Sequence, residues 1–412
     1  MSSPNGKVFS ILGKNIKANS KADLEPFLTE LAELADVEEV HFGGNSLGVE
    51  ACEAIAEVLK DKKGLKIVDL ADIFTGRLIS EIPQALSALC NALIDHKDLV
   101  VLDLSDNAFG GRCADAMVPF LSQNHYFNGI KLNNTGLGVW GGTVVADALL
   151  KNAKDGEAKG LKSALRVVVC GRSRLENGSA PHWAAAFAAH GGLVEVRMPQ
   201  NGIRMEGIEQ IAQGLSKNPN LEILDLQDNT ATRSGTRAIV KVLPQWPGLR
   251  SLNLSDCLLG KAGGIALATA LQNGSNPKLE SLKLQYGEFD KRTFEILAVA
   301  ISQHLKDLKE LELNGNQADP DDECIEEVRK ALALHGNEDA LDDLDDMEEP
   351  ESGDEDESEE EEEEAEAEDT PEAQAGEDDG VAAGVSDGGA LKADTDADDL
   401  ADVLAGVKIT NK

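Results

Sequence analysis

Leu99–Gly110, LVVLDLSDNAFG, is the stretch whose reading decides the fold. Its skeleton is leucine, two residues, leucine, one residue, leucine, two residues, asparagine. Leu102 and Leu104 alternate to one side of a short strand, and Asp103 faces the other way. Asn107 turns the chain, its amide free to bond backbone groups that a tight bend leaves unpaired, and Phe109 closes the core behind it. A strand this short cannot bury its apolar side alone, so copies must stack.

Copies begin at Val37, Leu65, Leu99, Phe127, Leu165, Leu193, Leu221, Leu249, Leu279 and Leu308, with a modal spacing of 28 residues. That is long for a leucine-rich repeat, and the surplus carries helical patterns: EACEAIAEVLKDK, EGIEQIAQGLSKN and GTRAIVKVLPQW place apolar residues at i, i+3, i+4 and i+7. A strand alternating with a helix predicts an α/β leucine-rich-repeat solenoid, a crescent or horseshoe with an inner parallel β-sheet and outer helices. Ten to eleven repeats are expected. The longer units at Leu65–His96 and Gly138–Ala164 are expected to carry loop insertions.

Four segments follow from this layout. Residues 1–35 read as an N-terminal cap, with VFSILGKNIK as strand and turn and LEPFLTELAEL as an amphipathic helix. Residues 36–335 form the repeat domain, closed by a last helix in DDECIEEVRKALALHG. Residues 336–381 read as an acidic disordered segment, and 382–412 as a C-terminal tail of unknown role. In that tail DDLADVLAGVKI is weakly amphipathic and reads either as a docking peptide or as plain tail.

The net charge of −37 is concentrated, because residues 338–379 hold 26 acidic residues and no Lys or Arg. The rest carries 49 acidic against 38 basic residues, a balance that disfavours nucleic acid and favours a basic protein partner. Six cysteines without CxxC or metal-ligand spacing read as reduced core or turn thiols. No stretch has signal-peptide or membrane-span character, so a soluble, non-secreted protein is expected.

No catalytic constellation is present in the sequence. The seven histidines are dispersed without HExxH, and GGTVVADALLK (141–151) lacks P-loop spacing. Departures from the repeat are more informative. The asparagine position holds Ile73, Thr135, Ser173, Cys257 and Gly287 in five units. Ser173, Cys257 and Gly287 read as drift in a turn. Ile73 cannot make the amide's bonds and opens IFTGR, which predicts an altered turn presenting Arg77 at the rim as a protein contact. Asn133 and Asn134 precede Thr135, where adjacent amides serve either as turn formers or as functional groups.

The strings ADIFTGR (71–77), LSDNAFG (104–110), LNNTGLG (132–138), CGRSRLENGS (170–179), LDLQDNT (224–230), LSDCLL (254–259), LKLQY (282–286) and LELNGN (311–316) occur in this order ahead of an acidic run. Over residues 1–350 the chain resembles the GTPase-activating proteins of Ran, the nuclear-transport GTPase. The resemblance implies a regulator that is not itself an enzyme, gripping Ran–GTP with rim loops and stimulating hydrolysis without an arginine finger. It implies that Asn134 orients the GTPase's catalytic glutamine and that Arg77 serves in binding or positioning. Partner-binding residues expected along the same motifs are Asn133, Thr75, Asp72, Asp106, Arg172 and Asp225. No cofactor of its own is expected, GTP and Mg being bound by the partner. A monomer is expected, with a Ran-binding protein as third member of a ternary complex; the charge balance and the lack of a long apolar run give the further expectation of no nucleic acid and no membrane span. The resemblance places the protein in the cytoplasm or at the nuclear envelope, with the acidic segment assisting contact with a basic surface. The rival readings are a ribonuclease-inhibitor-type scaffold and an acidic histone-binding chaperone, both without GTPase stimulation.

Overall fold

The computed structural model of the chain describes residues 6–348. Thirteen strands lie among them: β1 (Val8–Ser10), β2 (Lys17–Ala18), β3 (Glu39–His41), β4 (Ser46–Leu47), β5 (Ile67–Asp69), β6 (Val101–Asp103), β7 (Gly129–Lys131), β8 (Val167–Val169), β9 (Glu195–Arg197), β10 (Ile223–Asp225), β11 (Ser251–Asn253), β12 (Ser281–Lys283) and β13 (Glu310–Glu312). Eleven of them form one parallel sheet in chain order from β1 to β13, while β2 and β4 pair separately. The register aligns the repeats residue for residue, so His41, Asp69, Asp103, Lys131, Val169, Arg197, Asp225, Asn253, Lys283 and Glu312 form one row. A leucine-rich-repeat solenoid with an inner parallel sheet is the observed fold.

Helices α1 (Lys21–Glu33), α2 (Val49–Leu59), α3 (Ile82–Ala92), α4 (Ala114–Gln123), α5 (Gly138–Ala158), α6 (Glu176–His190), α7 (Met205–Leu215), α8 (Thr232–Val242), α9 (Gly260–Gln272), α10 (Lys291–His304) and α11 (Glu323–Ala333) alternate with the sheet strands. Each packs on the next. Paired strands sit about 4.8 Å apart, whereas packed helices need about 8–10 Å, so the row of helices takes the longer, outer arc. The two long units differ from one another. The surplus after β5 is the expected loop, but the surplus after β7 is helix: α5 runs for 21 residues, against 11 in α2, α3, α7 and α8. Its sequence has no proline before Gly160, and the strong helix formers of Ala146–Lys151, ADALLK, outweigh the glycines, so the helix continues.

The leucines of the motif, such as Leu99, Leu102 and Leu104, are buried between sheet and helices, each contributing about 1.5–3 kcal/mol over exposure. All six cysteines are buried and free, and burial pushes the thiols of Cys52, Cys90, Cys170 and Cys257 up to about 12.

Two ladders of polar side chains bracket this core. On the strand-to-helix side each asparagine serves two units: Asn107 donates to the carbonyls of Leu70 and Leu104 and accepts from the Ile73 amide. The Ile73 break is thereby covered by its neighbours, since Asn45 donates to the Phe42 carbonyl and Asn107 to that of Leu70. Ile73 itself is fully buried and contacts no solvent. Ser173 and Cys257 donate to the carbonyls of Leu132 and Leu226 in the asparagine's stead, as drift within a turn requires. On the opposite side a second ladder caps the helix C-termini, whose last carbonyls have no intrahelical donor. Asn124 donates to the Leu93 carbonyl, Asn152 to Leu121, Asn218 to Phe187, Trp246 to Leu215 and Asn276 to Leu243. His96 takes the same place against Leu59, and His190 reaches the Leu149 carbonyl at the corresponding level of α5, which there continues to Ala158.

Both ends differ from the expected boundaries. The segment read as a cap contributes β1 to the main sheet, in parallel register with β3, and is an atypical first repeat. At the other end order continues past 335: Ala340 and Leu344 are buried, Leu341 bridges to Leu311, and the Asp342 carboxylate accepts from the amides of Leu313 and Asn314. Asp342 and Asp346 are tied to the last repeat, so residues 338–348 cap the solenoid and do not belong to an acidic disordered segment. The rest of that segment, 349–381, and the tail 382–412 lie outside the described residues.

Candidate functional site

The residue before the ladder position is left-handed in repeat after repeat. Asp72, Asp106, Asn134, Arg172, Gln200, Asp228, Asp256 and Tyr286 have φ between 47° and 58°, and glycine fills the same place at Gly44 and Gly315. The cause is the tight exit from each strand, which must return the chain to the helix layer. Asparagine and aspartate tolerate this conformation best among residues with a Cβ. Each of these residues donates its amide to a carbonyl of the next unit: Asp72 to Ser105, Asp106 to Asn133, Asn134 to Gly171, Arg172 to Pro199. The backbone is thus fixed on both sides, and the side chains stand outward along one rim.

Four of the expected site residues, Asp72, Asp106, Asn134 and Arg172, are brought together in this row. At strand spacing they span about 15 Å. Asn134 is exposed, and its Nδ2 donates to Asp106 Oδ1 at 3.0 Å. Thr75 donates its hydroxyl to Asp72. Asn133 points elsewhere: its Oδ1 accepts from the Gly171 amide at 2.6 Å, so it fixes the neighbouring loop. Thr135 is fully buried and donates to the Leu132 carbonyl. Asp225 lies on the concave sheet, three strands from β7, half-buried, with its Oδ1 accepting from the Gln227 amide. Burial raises its carboxyl above the usual range.

Arg77 is not presented outward. Its Nε donates to Ser46 Oγ at 2.9 Å, Nη1 to Asn19 Oδ1 at 2.6 Å, and Nη2 to the carbonyls of Ala18 and Ser46. The guanidinium locks the β5–α3 loop to the β2–β4 pair, a task that needs its planar fork. Arg77→Ala is therefore expected to lower the opening free energy of residues 17–20 and 46–48 by about 1–3 kcal/mol, read by amide hydrogen exchange, with Arg77→Lys failing to restore it. Unchanged exchange with weakened partner binding would instead mean direct contact.

The concave face is a lattice of charges. His41 Nδ1 lies 3.2 Å from Asp69 Oδ2, and that hydrogen bond raises the imidazole pKa. Lys131 lies 3.8 Å from Asp103, whose carboxyl burial raises. Lys283 sits 2.9 Å from both Glu310 and Glu312. Among the described residues no group of three His, Cys, Asp or Glu is placed to hold a metal ion.

A leucine-rich-repeat family model matches residues 249–268. The Ran GTPase-activating protein 1 of Saccharomyces cerevisiae is 36% identical over 329 residues, covering 78% of this chain and 81% of that protein. The chain belongs to the Ran GTPase-activating protein family. Its namesake from Xenopus laevis is 44% identical over 197 residues, covering 47% of this chain and 34% of that one. The ribonuclease inhibitor of Sus scrofa is similar at 26% identity over 311 residues, 75% of this chain and 64% of that one.

In this member of the Ran GTPase-activating protein family the rim also carries apolar groups that the motifs did not flag. Trp140, in the first turn of α5 and six residues after Asn134, is 55% exposed, and Leu78 and Ile79, just past Arg77, are 65% and 49% exposed. The signal for Trp140 was compositional: a tryptophan in a chain with 4% aromatics. Leu78 and Ile79 carry no such mark, since apolar residues in an inserted loop read equally well as core.

Proposed function

We infer that this chain stimulates GTP hydrolysis by Ran, with the partner supplying the nucleotide site and this chain supplying an amide that holds the GTPase's catalytic glutamine. The observation that carries the reading is Asn134: exposed at a loop tip, on a backbone tied to both neighbouring units, while the nearby Arg77 guanidinium is committed within the chain. A neutral amide pairs with a glutamine amide and fixes its direction without bringing charge, so the attacking water is oriented by a group already in the GTPase. Asp72 and Arg172 extend the contact along the rim on either side of Asn134, and the chain acts as a regulator of the GTPase.

Single-turnover GTP hydrolysis by Ran, with and without this protein, tests the reading; no acceleration at micromolar concentration overturns it. If Arg172→Ala abolishes the maximal rate while Asn134→Gly spares it, charge neutralisation replaces amide positioning as the mechanism.

Trp140 is the expected apolar anchor of the contact, since large aromatics at a rim carry much of an interface's energy. Trp140→Ala should raise the half-saturating concentration about tenfold and leave the maximal rate within about twofold. Trp183 and Trp246 are fully buried. A fluorescence change on adding the GTPase should therefore vanish in Trp140→Phe; its persistence would place Trp140 outside the contact.

A further inference from the structure

An asparagine amide is two-faced. Rotated by half a turn it fills the same space but exchanges donor for acceptor, and a glutamine held by it is turned over as well. Asn134 has one side-chain partner in the row, the carboxylate of Asp106 one repeat away, at 3.0 Å from Nδ2. A carboxylate accepts hydrogen bonds and has none to give, so only the NH2 end of Asn134 can face it. The opposite end, Oδ1, is then directed away from Asp106.

Both residues are in the left-handed row, and each donates its backbone amide to the next unit, Asp106 to Asn133 and Asn134 to Gly171. The separation of the two side chains is thus set by sheet register and not by flexible loops. The neighbouring members of the row offer no equivalent contact to Asn134. On its other side stands Arg172, which has donors only and whose backbone amide is held by Pro199.

We propose that Asp106 is a positioning residue that sets the polarity of the Asn134 amide, so that Oδ1 is offered to the NH2 of the GTPase's glutamine and the glutamine's carbonyl oxygen is left to accept from the attacking water. The proposal rests on the reading that Asn134 holds that glutamine. It assigns Asp106 a role different from a contact with the partner: the carboxylate acts through Asn134.

Two variants suit the backbone at φ 58°. Asp106→Gly keeps the left-handed turn and removes the side chain, and Asp106→Asn keeps the shape but can face Asn134 with either end. In single-turnover hydrolysis at saturating activator, Asp106→Gly should lower the maximal rate about tenfold and Asp106→Asn by an intermediate factor, with the half-saturating concentration within about twofold of the parent. In a chain already carrying Asn134→Gly, adding Asp106→Gly should change nothing further. The proposal is overturned if the Asp106 variants shift only the half-saturating concentration, or if Asp106→Gly costs the same factor with and without Asn134. A fall of the underlying reading looks different: Asn134→Gly alone then leaves the maximal rate intact.

Discussion

Asn134→Gly is expected to lower the maximal rate of stimulated GTP hydrolysis about a hundredfold while the protein still binds its partner. Activation of a slow small GTPase can reach about 10⁵, and misplacing a positioned group by about 1 Å is enough to remove some two orders of magnitude. Glycine is the right replacement because the residue sits at φ 51° and its amide bond to Gly171 must survive. The rim on either side is untouched, so the half-saturating concentration should move by no more than about threefold. Asn134→Asp sharpens the test. It is nearly isosteric, yet it puts a second carboxylate where Asp106 Oδ1 now accepts a hydrogen bond at 3.0 Å, and it has no NH2 to donate. Its loss should match that of glycine. A maximal rate unchanged in both variants would move the catalytic role to another residue of the row.

The repeat was legible because one pattern sets strand, turn and core at once. Leu102 and Leu104 could only face a shared interior, and the register of the sheet then follows, because a slip by one residue would turn every leucine outward. What the sequence obscured was any element whose pattern is not periodic. The strand Val8–Ser10 lacks the motif's leucines yet pairs in register with Glu39–His41. The residues 338–348 read as solvated tail because their composition is acidic. Buried Ala340 and Leu344, the Asp342 carboxylate on the amides of Leu313 and Asn314, and a reciprocal pair between Asp346 and the Asn314 side chain were enough to fold them.

The proposed site was legible by motif, but the presentation of Arg77 was not. Breaks in the asparagine ladder mark no activity of their own, because the neighbouring asparagines reach across two units and cover the orphaned carbonyls at Ile73. The row that holds the proposed site lies one residue earlier, where the signal is conformational: Asp, Asp, Asn, Arg, Gln, Asp, Asp and Tyr share a left-handed backbone but no chemistry. Arg77 shows the converse. Its position beside the row is as expected, but its four donor contacts run to residues 18, 19 and 46, a long-range pairing that no local pattern reveals.

Two of the dispersed histidines, His96 and His190, belong to the second ladder, and they bring a pH dependence. His190 is 7% exposed; its Nε2 donates to the Leu149 carbonyl at 3.0 Å, and its Nδ1 accepts from Ser163 Oγ at 2.6 Å. The neutral ring satisfies both, and a second proton would sit in a buried site facing the Arg166 guanidinium. Burial is the larger cause, and with Arg166 it holds the pKa at about 4, against 6.5 for the free side chain, despite the favourable carbonyl. Between these values the unfolded chain binds a proton that the folded chain refuses. The stability is fully present above pH 6.5 and is lost as pH falls, by about 1.4 kcal/mol per unit, until the folded form also titrates near 4. His96, also lowered by burial, acts in the same direction, whereas His41, raised by Asp69, and the half-buried carboxyls Asp103 and Asp225, raised by desolvation, act oppositely. The separate effect of His190 is isolated by His190→Asn, because asparagine donates to the carbonyl at the same level of the ladder at 124, 152, 218 and 276 without titrating. In urea unfolding at pH 7.5 and pH 5.0, the parent is expected to lose about 2 kcal/mol more than His190→Asn. Equal losses in the two proteins would show that His190 takes up its proton as readily in the folded chain as in the unfolded one, and that the acid sensitivity resides elsewhere in the solenoid.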